Sequence, residues 1–435
     1  MPDASPSIPP PAPDRGSALV GQVETAIEDA AAFIERGTHA FAYTNLALFA
    51  AGFATFSLLY CVQPLLPVFS HDFAVSAATS SLALSLTTGL LAVAMLVAGG
   101  FSETWGRKPL MIASLVASGA LTVLAAVVPS WQALLVSRAL MGISLSGLPA
   151  VAMAYVSEEM HPKSVGLAMG LYIGGSGLGG MSGRLITGVL TDAFGWRMAI
   201  GTIGVLGLVS AAICWFSLQA SRHFNRRPLA LASLLSGFRI HLRDAALPWL
   251  FLEGFIVMGG FVTLYNYIGY RLLAPPFSLS QTAVGFIFTV YLVGIFSSAW
   301  MGALASKVGR RRMLWVPFVI MLVGTALTRA DTLVPIVAGL ALVTFGFFGG
   351  HSIASSWIGL RARQAKAQAS SLYLFCYYLG SSVVGSLGGL VWSRYGWSGV
   401  TLLTGALLLA GVLVAVRLFH VPPLPAEQPR AKERP

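Results

Sequence analysis

The chain has 435 residues, of which 56% are hydrophobic and only 10% are charged. An ordinary soluble domain carries about 25% charged residues, so a soluble fold is excluded. The formal charge of +11 could suit nucleic acid, but no basic stretch lies on a segment that could fold as a soluble domain, and we expect no nucleic acid partner. Cys61, Cys214 and Cys376 lie inside apolar stretches without metal-ligand spacing, which excludes a disulfide framework and a zinc site.

A proline-rich segment precedes twelve apolar segments. Residues 1–40 have five prolines between positions 6 and 13 and no apolar stretch after a basic start, which predicts a disordered tail rather than a cleaved signal peptide. The apolar segments are long enough for helices that cross about 30 Å of hydrocarbon. They lie near residues 43–69, 78–101, 109–128, 131–156, 165–189, 198–218, 247–272, 282–305, 312–327, 333–358, 368–392 and 400–418. The predicted fold is an all-α polytopic membrane protein with twelve transmembrane helices.

Lysine and arginine predict the orientation of these helices. With the N-terminus in the cytoplasm, 21 of the 27 basic residues fall on the cytoplasmic side, as the positive-inside rule requires. Arg138 and Arg184 lie within spans. The four basic residues left outside are Arg197, Arg271, Arg329 and Arg394. We therefore predict a multi-pass protein of the bacterial cytoplasmic (inner) membrane with both termini in the cytoplasm.

The chain also repeats itself at an offset of 201 to 203 residues. The matching pairs are 48–53 with 250–255, 99–108 with 302–311, and 188–196 with 389–397. Each pair lies at an equivalent span or loop, so we predict two six-helix bundles, 41–218 and 247–418. A basic linker at 219–246 joins them, and a cytoplasmic tail follows at 419–435. Such repeats place a solute site between the halves near the middle of the membrane.

The loop between the second and third spans resembles the signature loop of the major facilitator superfamily. It reads Gly99-Gly100-Phe101-Ser102-Glu103-Thr104-Trp105-Gly106-Arg107-Lys108, and its second copy reads Gly302-Ala303-Leu304-Ala305-Ser306-Lys307-Val308-Gly309-Arg310-Arg311. Glycine permits a tight reversal, and the basic pair can bind a helix C-terminus or a carboxylate. The candidate gating residues are Gly99, Glu103, Gly106, Arg107, Lys108, Gly302, Gly309, Arg310 and Arg311.

The second loop has Ser306 where the family has an acid, so we expect gate locking to depend more on the first half. Positive-inside topology alone is the alternative explanation of both basic pairs.

Two further motifs lie in spans four and five. Arg138-x3-Gly142 resembles the superfamily's R-x-x-x-G pattern, and eight glycines between positions 170 and 188 resemble its glycine-rich antiporter motif without the usual proline. Gly179, Gly183 and Arg184 are therefore candidate gating residues. We expect Arg184 to be a structural partner of span-end carbonyls or tyrosine hydroxyls, and a substrate ligand is the alternative. With residues 350–357 and 373–380, this stretch resembles the YnfM-type branch of inner-membrane exporters across residues 41–418.

The resemblance implies a solute path lined by spans one, four, seven and ten. The candidate substrate-binding residues are Tyr60, Gln63, Arg138, Tyr265, Asn266, His351 and Tyr378. Glu253 is the only acid well inside a predicted span, and Glu253 and His351 are candidate proton carriers. A glutamate at the headgroup level and a histidine that only packs are the alternatives. Because these candidates include more basic groups than acids, we expect a neutral or anionic substrate rather than a lipophilic cation.

The predicted function is secondary active transport of a small organic solute by alternating access, coupled to protons and directed outward as efflux of a drug, sugar or organic acid. An importer or uniporter of the same fold is the alternative, and a non-transporting membrane sensor is a weaker one. No G-x4-G-K-[ST] loop occurs, so ATP-driven transport would need another subunit. No convergent catalytic set occurs either, so we expect no enzyme activity, and we expect no cofactor. The expected partners are the substrate, protons and the lipid bilayer, with the chain as a monomer.

Overall fold

The computed structural model describes residues 33–223 and 231–422. These residues form helices, and no strand occurs among them beyond a bridge between Ile34 and Met160. That bridge places the end of the N-terminal segment against span 4, because Ile34 N donates to Glu159 O at 2.9 Å. Most of the predicted disordered tail (1–32), the middle of the linker (224–230) and most of the C-terminal tail (423–435) lie outside the described residues.

Six spans form the first half. Span 1 is His39–Tyr60, continued by a 3₁₀ turn at Gln63–Leu65 and by Leu66–Asp72. The others are span 2, Ala77–Trp105; span 3, Arg107–Val127; span 4, Trp131–Leu145 with Pro149–Glu159; span 5, Val165–Phe194; and span 6, Trp196–Ser217.

A short helix at Leu231–Leu242, inside the predicted linker, precedes the second half. The next four spans are span 7, Leu247–Leu273; span 8, Gln281–Ile287 with a 3₁₀ turn at Phe288–Val290 and Tyr291–Val308; span 9, Arg310–Met313 with Trp315–Leu327; and span 10, Leu333–Arg361. Spans 11 and 12 share the segment Lys366–Phe419, which Gly396 interrupts with φ 57° and ψ −149°. The predicted twelve-helix fold is confirmed.

Hydropathy alone identifies fewer of these spans. Within the described ranges, eight helical segments are long and apolar enough to cross a membrane, and one of them is the 54-residue segment that holds spans 11 and 12. Spans 4 and 9 are not among these segments, because each is divided into two helices that are too short to cross a membrane alone. Span 5 is long, but its many glycines and Arg184 lower its mean hydropathy.

Glycines in the left-handed region mark equivalent turns of the two halves. Gly106 and Gly309 follow spans 2 and 8 with φ of +100° and +106°. Gly195 and Gly396 follow spans 5 and 11 with φ of +83° and +57°. A side chain at any of these positions would strain the backbone. The two pairs are 203 and 201 residues apart, so the backbone turns follow the same repeat as the sequence.

Other glycines let helices touch at the main chain. A Cβ on Gly179 of span 5 would lie 2.1 Å from the carbonyl oxygen of Phe53 in span 1. In the second half, a Cβ on Gly380 of span 11 would lie 2.1 Å from the carbonyl oxygen of Phe255 in span 7. Small residues at such crossings allow close packing of membrane helices. The same close contact therefore stabilises each half at an equivalent place.

Candidate transport site

The two halves meet at the side of the molecule that is remote from the arginine-rich loops. We call the side that carries Arg107 and Arg310 the basic face, and the other side the opposite face. At the opposite face, Asp192 of span 5 accepts hydrogen bonds from the main-chain nitrogens of Gln281 (3.2 Å) and Thr282 (2.7 Å), which begin span 8. The second contact there joins spans 2 and 11, because a Cβ on Gly389 would lie 2.4 Å from Ala78 Cα.

Further contacts join the halves on the same side of the molecule. The Tyr270 hydroxyl of span 7 lies 2.6 Å from Ser70 Oγ and donates to the Leu66 carbonyl oxygen at 2.8 Å, both in span 1. Ser382 Oγ of span 11 donates to the Ser85 carbonyl oxygen of span 2 at 2.7 Å. These bonds close the opposite face with both main-chain and side-chain groups.

Toward the basic face, span 5 loses contact with span 8. A Cβ on Gly177 would meet Ile295 of span 8 at 3.2 Å. Gly174 and Gly170 lie on the same side of the helix, one and two turns nearer the basic face. A Cβ at either position would have no atom within 4 Å. Spans 5 and 8 therefore diverge from the middle of the molecule toward the basic face.

A chain of buried polar side chains crosses between the halves at their meeting point. Arg184 Nε of span 5 donates to Gln63 Oε1 at 2.6 Å, and Gln63 Nε2 donates to Asn266 Oδ1 of span 7 at 2.7 Å. Arg184 also donates to the Gly180 carbonyl oxygen. All three side chains are buried. Two candidate substrate-binding residues and one candidate gating residue thus form one network.

The Arg184 guanidinium lies in an aromatic cage. Its central carbon is 4.3 Å from the ring centre of Tyr60, 4.9 Å from that of Tyr291 and 5.1 Å from that of Phe288. No carboxylate contacts Arg184 within the described parts of the chain. The hydroxyls of Tyr60 and Tyr291 and the Nδ2 atom of Asn266 are buried without a hydrogen-bond partner among the described residues.

Sequence reasoning missed Phe288 and Tyr291 because the resemblance placed the path on spans one, four, seven and ten, and span 8 was left out. The contact of Gly188 with span 8, where a Cβ would lie 2.6 Å from the Gln281 carbonyl oxygen, shows why span 8 reaches the cage. The available signal was the repeated glycine at positions 188 and 389, which marks a close helix crossing.

The other predicted tyrosines extend this aromatic layer. Tyr265 is buried, and its hydroxyl lies 2.6 Å from Thr344 Oγ1 of span 10. Its ring centre is 5.8 Å from that of Tyr291. Tyr378 of span 11 is also buried, with its ring edge against Tyr377 at 5.2 Å between ring centres. Both residues lie near the cage, although neither contacts the Arg184 guanidinium directly.

A second buried group lies nearer the basic face. His351 Nδ1 of span 10 is 2.8 Å from the Tyr373 hydroxyl of span 11. Its ring is nearly parallel to that of Phe347, with 6.4 Å between ring centres, and is tilted by 46° to that of Tyr377 at 4.9 Å. Glu253 of span 7 is 1% exposed, and neither carboxyl oxygen has a hydrogen-bond partner among the described residues. The next residue, Gly254, packs against the Tyr373 ring, where a Cβ would lie 2.6 Å from Cε2. The Glu253 carboxyl is enclosed by protein rather than exposed at the surface.

Arg138 is used differently from the other candidate binding residues. It is fully buried, and its Nε, Nη1 and Nη2 atoms donate to the carbonyl oxygens of Ala83 (3.1 Å), Leu58 (3.0 Å) and Leu59 (2.7 Å). One turn later, a Cβ on Gly142 would lie 2.3 Å from the Thr87 carbonyl oxygen. This geometry favours a role for the motif in fastening span 4 to spans 1 and 2 over a role in binding solute.

The signature loop of the first half contains a bidentate ion pair. Arg107 donates to Glu158 of span 4 through Nε (3.0 Å) and Nη2 (2.7 Å), and Lys108 Nζ donates to the Leu218 carbonyl oxygen at the end of span 6. Glu158 was not among the predicted gating residues. Glu103 and Gly99 lie in the last two turns of span 2. All these contacts remain within the first half.

Among the residues that the structure describes, no acid takes part in the equivalent contacts of the second loop. Arg310 Nε donates to Ser356 Oγ at 3.0 Å and its Nη2 donates to Ser306 Oγ at 3.2 Å. The remaining gating candidates lie at helix contacts. A Cβ on Gly302 would lie 2.8 Å from Ser352 Oγ, and one on Gly183 would lie 2.7 Å from Ser57 Cα. Arg311 lines a surface groove at the basic face.

Comparison with known proteins identifies the family. A family model described as Major Facilitator Superfamily matches residues 48–274 and 250–435. The inner membrane transport protein YnfM of Escherichia coli (strain K12) is 49% identical over 388 residues, which cover 89% of this chain and 93% of that protein. The chain belongs to the major facilitator superfamily. The resemblance predicted from the signature loops and from the YnfM-type motifs is confirmed.

Other known proteins match over similar lengths. The uncharacterized MFS-type transporter YybF of Bacillus subtilis (strain 168) is 49% identical over 87% of this chain and 94% of that protein. A bacterial homologue of the human lysosomal transporter Spinster, solved in an inward-facing and occupied conformation, has a TM-score of 0.69 at 14% identity, covering 88% of this chain and 97% of that one. The nucleoside transporter NupG has a TM-score of 0.73 at 14% identity, covering 86% and 100%.

Membership of this superfamily makes the chain a membrane transporter, and its apolar helices and relatives are those of a multi-pass inner-membrane protein.

Proposed function

We propose that this transporter exports a small neutral or anionic organic solute in exchange for protons. The single observation that carries the proposal is that the halves are bonded together at the opposite face and diverge toward the basic face. The positive-inside rule puts the basic face in the cytoplasm. The described arrangement is then an inward-open state, in which solute enters from the cytoplasm and reaches the Arg184 network at the closed end.

The substrate class follows from the charge of the network. A buried arginine in a membrane helix is costly and needs compensation, yet Arg184 has only an amide, a main-chain carbonyl and aromatic rings around it. A carboxylate or an electron-rich hydroxyl group on the solute would supply the missing acceptor. The unpartnered hydroxyls of Tyr60 and Tyr291 would donate to the same group. Tyr265 and Tyr378 complete the proposed chamber with aromatic surface.

Proton exchange is assigned to Glu253 and His351. A buried carboxylate without a partner costs several kcal/mol, so Glu253 holds a proton in the described state and releases it where access changes. His351 and Tyr373, joined at 2.8 Å, form the hydrogen-bonded pair beside it. Because the solute site and Glu253 lie in different places, proton occupancy changes the relative stability of the two states rather than competing directly for the solute.

The signature loops act as the gate of the basic face. In the described state Arg107 and Lys108 bind within the first half, so they hold that half together while the gate is open. When the halves close at the basic face, the loops that begin spans 3 and 9 are brought toward the partner half. Gly106 forms the turn between spans 2 and 3. Gly183 gives the close packing of span 5 on span 1 that such movement needs.

The experiment uses purified protein in proteoliposomes with an imposed pH gradient. Organic acids, sugars and ethidium are offered separately, and both gradient-driven flux and solute counterflow are measured. We expect Glu253→Gln to abolish the response to pH while counterflow continues, and Arg184→Gln to reduce counterflow of acids. Glu35→Gln, which alters an exposed acid outside the helices, is the matched control. Strong ethidium efflux abolished by Glu253→Gln would contradict the substrate class.

The alternative function, an importer or uniporter of the same fold, differs in the same assay. A uniporter equilibrates solute without any response to the pH jump. A proton-coupled importer accumulates solute in the compartment that the protons enter, whereas the proposed exporter moves solute against the direction of proton flow. Each function therefore predicts a different sign or absence of the pH effect.

A further inference from the structure

A basic groove lies on the surface of the second half, apart from the transport site. It has a volume of about 690 Å³. It lies at the basic face, between the start of span 9 and the ends of spans 8, 10 and 12. Among the described residues, its lining contains four arginines and no acid. The lining residues are Val308, Gly309, Arg310, Arg311, Arg312, Trp357, Leu360, Arg361 and Phe419.

The charges of this groove are only partly compensated. Arg361 Nε donates to Asp244 at 2.6 Å, and Arg310 contacts two serine hydroxyls. Within the described ranges, Arg311 and Arg312 have no ion pair. At least three positive charges therefore remain without an acidic partner. Clustered guanidinium groups attract phosphate, which they bind through paired hydrogen bonds.

In the part of the chain that the structure describes, the first half has no such excess of unpaired arginines at the equivalent place. There, Arg107 is neutralised by Glu158 in a bidentate pair. At offsets of 202 and 203 from Glu158, the second half has Leu360 and Arg361. At this place the second half thus has an arginine where the first half has an acid. Positive-inside topology requires basic residues near the membrane, but it does not require them to face one another across a groove.

The groove also has an apolar wall. Leu360 is 63% exposed and Phe419 is 48% exposed, and Trp357 lines the same space. Charged groups at the membrane surface beside exposed apolar side chains suit an amphiphile whose headgroup is anionic and whose chains lie along the helices. A free phosphate compound would use the arginines and leave the apolar wall uncovered.

We propose that this groove binds the phosphate headgroup of an anionic phospholipid in the cytoplasmic leaflet. The phosphate contacts Arg311 and Arg312, with Arg310 and Arg361 at the sides, and an acyl chain covers Leu360 and Phe419. This site does not depend on which solute is transported.

The test measures lipid binding to the full chain. Purified protein in nanodiscs of phosphatidylcholine is titrated with phosphatidylglycerol, and the bound lipid is counted by native mass spectrometry after release. We expect Arg311→Gln with Arg312→Gln to weaken phosphatidylglycerol binding by about tenfold or more, as loss of two charge-assisted contacts predicts. The matched control, Arg239→Gln with Arg243→Gln, removes two exposed arginines from the same face outside the groove and should leave binding unchanged.

Three results would overturn the proposal. Equal losses in both double variants would indicate diffuse attraction to the basic face rather than a site. A wild-type chain that binds phosphatidylglycerol no better than phosphatidylcholine would show no headgroup selectivity. Full displacement of the lipid by millimolar inorganic phosphate would assign the groove to a soluble phosphate compound. If the double variant fails to fold, Arg312→Gln alone, at an exposed position, is titrated in its place.

Discussion

The hydrogen bond between Gln63 and Asn266 offers a direct test of alternating access. Its atoms lie 2.7 Å apart, and the two residues belong to different halves, so the bond exists only while the opposite face is closed. Replacing Asn266 with alanine removes this hydrogen bond from the state in which the opposite face is closed. The state in which the opposite face is open has no such bond to lose. A buried hydrogen bond contributes about 1 kcal/mol net. The ratio of closed to open opposite face should therefore fall about fivefold.

Distances between spin labels on the opposite face measure this ratio. Phe194 and Tyr395 are 69% and 66% exposed and belong to different halves, so cysteines there can carry the labels. Of the native cysteines, Cys61 and Cys214 are buried, and Cys376, which is half-buried, is replaced by serine. We expect Asn266→Ala to raise the long-distance population about fivefold relative to the short one.

The matched control removes a buried hydrogen bond that does not cross the halves. Thr344→Val breaks the contact with the Tyr265 hydroxyl, which lies 2.6 Å away and is in the same half. This variant should lower overall stability and leave the ratio of the two distances unchanged. Equal shifts in both variants, or no shift in either, would refute the assignment of the Gln63 bond to closure of the opposite face.

Two further predictions concern stability. Gly179→Ala should lower the Tm and the monodisperse fraction in detergent, because its Cβ would lie 2.1 Å from the Phe53 carbonyl oxygen and overpacking costs about 1–3 kcal/mol. Gly170→Ala, which meets open space, should do neither. Burial alone would raise the pKa of Asp244, but hydrogen bonds from Arg361 and two main-chain amides outweigh it and hold the pKa below its usual value. Asp244 therefore stabilises the fold above its unfolded pKa of about 3.9, and this contribution is lost as the pH falls through the lower folded value. Asp244→Asn should lower the Tm at pH 7 and bring it closer to wild type in acid, whereas an equal difference at both pH values would contradict this.

The fold was predictable because its signals are local or repeated. Runs of apolar residues identify most spans without knowledge of their neighbours, and the glycines at 106 and 309 mark equivalent turns because only glycine tolerates their backbone angles readily. Element ends were less accurate. Span 3 was expected from residue 109 and begins at Arg107, since a charged residue at the membrane surface can still be helical.

The candidate site was predictable only in part. Polar residues on spans 1 and 7 were visible as exceptions in apolar sequence, and Gln63 and Asn266 do meet. The partner of Arg107 was not identifiable, because Glu103, Glu158 and Glu159 all lie near the basic face in the sequence, and only helix packing selects Glu158. Tyr291 was hidden for the same reason, since an aromatic residue in an apolar span carries no sign of its neighbour across the interface.

The buried charges of the two halves suggest how the proposed coupling arises. Arg184 belongs to the first half and has no carboxylate partner, whereas Glu253 belongs to the second half and has no cationic one, within the part of the chain that the structure describes. Two such groups in direct contact would neutralise each other, and no uncompensated charge would remain for an exchangeable ligand to bind. In the proposed mechanism, these separated groups each take a partner from outside: a proton for Glu253 and an acceptor group on the solute for Arg184. Because either partner stabilises a buried group in one state more than in the other, binding of one shifts the equilibrium that the other senses.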